Sequence, residues 1–273
     1  MGNTDRAVRF LRMMEERGFE PDIVAYGNGL LKEALHLFSV LKVKGNRPNI
    51  VIYNCLIHAM CNLGQQKEVI GLLNEMRETD ISLDIFTYNI LIDAYGKKGI
   101  IFDAMDTVDT MRKQGIQSNV VTYGILVDMY CKEGMVFKAE NIVDTMREQG
   151  IEPNVVTYNA LIDCHCLQNK MDKARGVFQL MIKNGCARDI WTYNIMINGY
   201  CIANLLDKAM KLFHEISRTG PTLNTVTYNT LMRGELQHHS FCTSINTRPV
   251  TGTIKEVEAA DAIFRELRLG MTT

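Results

Sequence analysis

An asparagine amide carries hydrogen-bond donors and an acceptor on one short side chain, and this sequence sets that group repeatedly in one frame. Asn54, Asn89, Asn159, Asn194 and Asn229 each follow a tyrosine, and Gly124 holds the equivalent place between Asn89 and Asn159. The surrounding strings are near copies: "DIFTYNILID" from Asp84, "NVVTYGILVD" from Asn119, "NVVTYNALID" from Asn154, "DIWTYNIMIN" from Asp189 and "NTVTYNTLMR" from Asn224. A tyrosine held in register reads as packing. An asparagine inside a first helical turn costs on the order of half a kcal/mol against alanine, so its recurrence calls for a partner. Two partners are open: a neighbouring repeat, forming an amide ladder, or the hydrogen-bonding edge of a ligand. The ligand edge explains the recurrence better.

Metal and nucleophile chemistry fit less well. Of eight cysteines, Cys131, Cys166 and Cys201 are 35 residues apart and Cys61 lies 70 before Cys131. No C-x-x-C pair occurs, and "CHC" at Cys164–Cys166 has no second ligand pair at zinc spacing. These cysteines are expected to pack as small buried thiols in a reducing compartment. His238, His239 and Cys242 lie on a polar stretch without a fourth ligand and read as a solvated insertion. Met76, Met111, Met146 and Met181 recur in register and read as core filler, not as a cofactor stripe. No cofactor is expected.

The elements that would position the amides follow from the repeat. With position 1 set two residues before the threonine of "TYN", five gapless units of 35 residues run 50–84, 85–119, 120–154, 155–189 and 190–224. In 85–119, Tyr88, Leu91, Ile92 and Tyr95 form the apolar stripe of a first helix, "GKKG" ends it, and Ala104, Val108 and Met111 mark a second. Position 15 is Gly64, Gly99, Gly134, Asn169 and Asn204, types that tolerate the left-handed conformation at a helix end. A two-helix hairpin cannot bury its apolar faces alone, so the expected fold is all-α: a right-handed superhelical solenoid of stacked hairpins.

Composition narrows the class. The 273 residues are 47% hydrophobic and 22% charged, with five prolines, an ordinary balance for a soluble helical protein. A net charge of −1 argues against duplex binding, where phosphate neutralisation dominates, and less against single strands. No apolar run reaches the ~18 residues of a membrane span, so no membrane partner is expected. The acidic, amphipathic opening "MGNTDRAVRFLRMMEERGFEPD" reads neither as a secretory signal nor as a transit peptide.

The 35-residue period, the "VTYNALID" opening, the small-residue turn, the "KA…F…M" second helix and the "G(I)xPN/D" close resemble the pentatricopeptide repeat family, in its uniform-length P-type form. The resemblance implies binding of single-stranded RNA, about one base per repeat read by two or three side chains. By that resemblance, position 5 and position 35 meet the base edge. Position 5 is Asn54, Asn89, Gly124, Asn159, Asn194 and Asn229; position 35 is Asp84, Asn119, Asn154, Asp189 and Asn224. Position 2 side chains would sandwich the bases: Val51, Phe86, Val121, Val156, Trp191 and Val226. Position 13 would meet phosphate through Lys97 and Lys132, for which a solvated surface lysine is the competing reading; Asn62, Leu167 and Ile202 fill the other places.

The residue chemistry fits that implication. An asparagine amide can match a pyrimidine edge, an aspartate at position 35 accepts only, and valine, Phe86 and Trp191 offer faces for bases. Position 35 is by itself nearly neutral, since Asp or Asn before a helix is a common cap. The family's code gives 5′-U-Y-N-U-Y-3′, with the glycine repeat reading weakly.

The pattern breaks at both ends. Residues 1–22 match a second helix only; 23–49 is a shortened repeat in which Gly27 has no clear place; 225–273 is an interrupted, degenerate repeat with an inserted loop at about 235–252. These breaks suggest a truncated or rearranged family member. The resemblance implies a non-enzymatic adaptor on organellar transcripts, mitochondrial or alternatively chloroplast, with organellar RNA-processing proteins as partners and no small-molecule substrate. Deaminase-bearing relatives need H-x-E with C-x-x-C, and neither motif occurs. The alternatives are a protein-binding helical scaffold and a truncated product without function.

Overall fold

The computed structural model describes residues 31–43, 45, 47–219 and 221–234. Among them the chain is helix and turn, with no strand. First helices are α2 (Ile50–Asn62), α4 (Ile85–Lys97), α6 (Val120–Lys132), α8 (Val155–Leu167) and α10 (Ile190–Ile202), each starting 35 residues after the last. Second helices are α3 (Gln66–Glu78), α5 (Ile101–Lys113), α7 (Val136–Glu148), α9 (Met171–Lys183) and α11 (Leu206–Thr219). A helix α1 (Leu31–Val43) precedes them, and α12 spans 225–234. The calls on residues 1–22, on Gly27 and on the 235–252 insertion with His238, His239 and Cys242 lie outside the described residues.

Local chemistry sets where each helix begins and ends. Asn49, in extended conformation, accepts from the Ile52 N–H and opens α2. Asp84 and Asp189 close full capping boxes with Thr87 and Thr192 at the starts of α4 and α10. The turns out of α8 and α10 run through Asn169 (φ 56°) and Asn204 (φ 57°), in the left-handed region reached elsewhere by glycine. Asp80 (φ 60°) ends α3 where later repeats place glycine. That substitution was not anticipated, though aspartate is among the few types that visit this region.

Two compact units divide the chain, one comprising residues to Met129 with Glu148–Ile151, the other Tyr130–Arg147 with Glu152 onward. In the first, Phe38, Tyr53, Leu56, Ile57 and Met76 build a core between α1, α2 and α3. Burying one such aliphatic side chain stabilises by about 1.5–3 kcal/mol, a gain that needs a stacked neighbour. Ala104, Val108 and Met111 are fully buried, as their spacing predicts. The tyrosines do more than pack: Tyr53, Tyr88 and Tyr123 donate from their phenols to Glu75 (2.8 Å), Gln114 (2.8 Å) and Gln149 (2.6 Å), tying each first helix to the end of its second.

In the second unit Tyr158, Ile162, Phe178, Met181, Ile197 and Phe213 belong to one core. The Asn184 amide donates to the Tyr158 phenol oxygen at 2.7 Å, the same tie with the donor reversed. No helix among the described residues is long and apolar enough to cross a membrane.

Candidate functional site

The recurring amides are the fifth residue of each first helix, just past its first turn, and at three of them the amide nitrogen meets the residue 30 positions on. Asn54 donates from Nδ2 to Asp84 at 3.2 Å, Asn159 to Asp189 at 3.5 Å and Asn194 to Asn224 at 3.3 Å. Positions 5 and 35 are thus brought together at three repeats. The position 35 oxygen also caps the following helix: Asp84, Asn119, Asn154, Asp189 and Asn224 each accept from a threonine N–H three residues later, at 2.8–3.1 Å.

A third residue completes the cluster. Thr87 donates its hydroxyl to the Asn54 Oδ1 at 2.6 Å, Thr122 to Asn89 at 2.7 Å and Thr227 to Asn194 at 2.7 Å, each from the next first helix. The inter-repeat amide bridge is therefore present. At Asn54 and Asn194 it uses the carbonyl and one N–H, and a carboxamide has a second N–H and a second lone pair. Asn89 and Asn194 are buried, at 7% and 4% exposure, whereas Asn54 and Asn159 are half-buried and Asn229 is exposed. Sequence reasoning used these threonines only to mark the frame. Their fixed spacing of 33 residues after an asparagine was the signal available.

Electrostatics at the cluster are local. Burial pushes the Asp189 carboxyl upward, but the Thr192 N–H and hydroxyl and the Asn159 amide outweigh it and hold it below its usual value of 3.8. The Asn159 carbonyl oxygen is buried without a partner among the described residues.

Beside the amides, position 2 leaves an apolar side chain in solvent at every repeat. Val51, Phe86, Val121, Val156, Trp191 and Val226 are between 42% and 67% exposed. These apolar groups stand open in register on helices that bury Tyr53, Tyr123 and Tyr158 completely. Lys97 is exposed but paired with Asp93 at 2.6 Å, one turn earlier; Lys132 is exposed. Gly124 is half-buried and offers no side chain.

The thiol expectation needs correction. Cys166 is buried, its thiol pushed up to about 12 by burial, but Cys61, Cys131 and Cys201 are only half-buried. All four share position 12, in the last turn of a 13-residue helix, so the position alone does not bury the thiol. None of the described cysteines is joined in a disulfide, and no cluster of three His, Cys, Asp or Glu among the described residues could hold a metal. A polar group that sequence reasoning missed is His165, buried where Tyr130 and Tyr200 stand in adjacent repeats, with Nε2 3.4 Å from Glu140. Burial lowers its pKa, and it faces α7 and α9, not the amides.

The PPR repeat family model matches residues 48–97, 83–132, 119–167, 153–202 and 188–235. The chain belongs to the PPR repeat family. Over 84 residues it is 31% identical to a pentatricopeptide repeat-containing protein of Arabidopsis thaliana, covering 28% of this chain and 10% of the relative. A second Arabidopsis thaliana relative, named chloroplastic, is 29% identical over 84 residues, with 28% and 17% covered. The chain thus matches a small part of the length of these relatives. Among solved structures it resembles the pentatricopeptide repeat protein PPR10 from maize, with TM-score 0.59, 22% identity, and 88% of this chain and 36% of that chain covered. PPR10 in complex with an 18-nt psaJ RNA element gives TM-score 0.53 at 22% identity, covering 94% and 45%. At this identity the likeness shows the fold.

Proposed function

We propose that the chain binds single-stranded RNA at its first-helix N-termini, one base per repeat, and acts as a non-enzymatic adaptor. The observation that carries this reading is the pairing of the position 5 amide with the position 35 oxygen beside an exposed apolar side chain. A base edge needs donors and acceptors in fixed geometry; a base face needs an open apolar surface. The start of each first helix supplies the apolar side chain at its second residue and, except at Gly124, the amide at its fifth. A structural amide bridge alone leaves the row of exposed Val, Phe86 and Trp191 unexplained. The family membership and the RNA in the PPR10 complex support the ligand class.

The base-reading residues in this proposal are Asn54 with Asp84, Asn89 with Asn119, Asn159 with Asp189 and Asn194 with Asn224, giving 5′-U-Y-N-U-Y-3′ with Gly124 and Asn154 at the undetermined base. The relative named chloroplastic supports an organellar transcript as target, with chloroplast and mitochondrion distinguished by fractionation. The test is fluorescence anisotropy of the purified chain with a U-Y-N-U-Y oligonucleotide and a purine-swapped control at one stated salt concentration. Tighter binding of the pyrimidine strand supports the code; equal affinity rejects it.

A further inference from the structure

We infer that Thr87, Thr122 and Thr227, at position 3 of their repeats, are specificity-determining residues, each locking the amide of the preceding repeat in one of its two orientations. The inference rests on the base-reading role proposed above.

An asparagine amide can turn over by half a revolution, exchanging its oxygen and nitrogen at nearly the same positions. A pyrimidine reader cannot tolerate that exchange. Uracil and cytosine differ in whether the exocyclic group accepts or donates, so a flipped amide reverses the preference. Something must hold the oxygen on one side. A threonine hydroxyl has one hydrogen to donate, and at three repeats it reaches the amide oxygen at 2.6–2.7 Å, against 2.9–3.1 Å to the capping oxygen.

The repeats differ in how many anchors they have, which gives the inference a graded consequence. Asn54 and Asn194 are held twice, at the oxygen by Thr87 or Thr227 and at the nitrogen by Asp84 or Asn224. Asn89 is held at its oxygen by Thr122 alone among the described residues. Asn159 has the reverse arrangement: Thr192 donates to Asp189 at 2.8 Å, and the amide is anchored only through its nitrogen, at 3.5 Å. Thr157 makes the same capping bonds to Asn154, at 3.0 and 3.1 Å, but the residue 33 before it is Gly124, so it has no amide to hold.

The test is the ratio of affinities for strands carrying U or C at the second base, measured for the wild type and for Thr122→Val, Thr122→Ser, Thr157→Val and Asn89→Ala. The code leaves that base as either pyrimidine; a locked amide predicts that the wild type prefers one of them by roughly fivefold or more, and a wild-type ratio of one overturns the locking role. Thr122→Val should bring that ratio to about one, and Thr122→Ser should restore it. Thr157→Val should lower thermal stability through the lost cap contact and leave every base preference unchanged. Read at the first and fifth bases, Thr87→Val and Thr227→Val should lose less of their own U-to-C ratio than Thr122→Val loses at the second, and Thr192→Val should lose nothing at the fourth. A Thr122→Val protein that keeps the wild-type ratio, while Asn89→Ala loses it, overturns the locking role alone. If Asn89→Ala also keeps the ratio, the amide does not read a base, and the proposed function falls with it. Equal changes in Thr122→Val and Thr157→Val would reduce the threonine to a helix cap.

Discussion

Cys166 on α8 packs directly against the bare face of Gly199 on α10. A Cβ added to that glycine would meet the Cys166 sulfur well inside van der Waals contact and its Cβ at 2.8 Å. The pair sets how closely two successive first helices approach in the second unit. Gly199→Ala should therefore destabilise the chain by about 1–3 kcal/mol, the usual cost of overpacking. Adding Cys166→Ala should recover most of it. In the first unit, Gly96 faces Met129 at 3.3 Å, a flexible side chain, so Gly96→Ala should cost less. Urea unfolding of the three variants beside the wild type checks this; equal losses for both glycines would contradict it.

The exposed stripe makes a prediction in which binding and stability separate. Phe86 and Trp191 are 67% and 59% exposed, so truncating either removes little buried surface. Phe86→Ala and Trp191→Ala should leave the melting temperature nearly unchanged and weaken RNA binding by about 1–3 kcal/mol each, the range for a base stacked on an aromatic ring. Anisotropy titrations and thermal melts on the same preparations give both readings.

Asp189 links stability to acid pH. Its carboxyl is held below 3.8 in the folded chain, so folding favours the ionised form. The stability it contributes is fully present above the unfolded value and is lost as pH falls through the lower folded value. Asp189→Asn keeps a capping side chain and removes the titration. The variant should show a smaller drop in melting temperature than the wild type between neutral pH and pH below 3.8. Parallel curves would place the acid sensitivity elsewhere.

The repeat carried most of the fold in plain view. Tyrosine, glycine and methionine recur where a hairpin needs a buried ring, a left-handed turn and a core filler, and Asn169 and Asn204 stand in for glycine because their short polar side chains tolerate positive φ. Asp80 was not legible, since nothing in "ETDISLD" distinguishes a left-handed aspartate from an ordinary polar loop residue. Nor was the partial exposure of Cys61, Cys131 and Cys201, which share their repeat position with the buried Cys166.

The candidate site was half visible. Spacing alone marked the asparagines and the position 35 caps. It could not show that a threonine 33 residues on would take the amide oxygen, because that contact crosses between hairpins and depends on helix rotation. The burial of Asn89 and Asn194 was hidden for the same reason.

A base-substitution profile across the five positions of U-Y-N-U-Y RNA, measured for the wild type and for Asn159→Ala, tests the central claim most directly. If the amides read bases, Asn159→Ala loses discrimination at the fourth base and keeps it at the other positions. A uniform loss of affinity at all five positions, or an unchanged profile, would show instead that the amide only joins neighbouring hairpins.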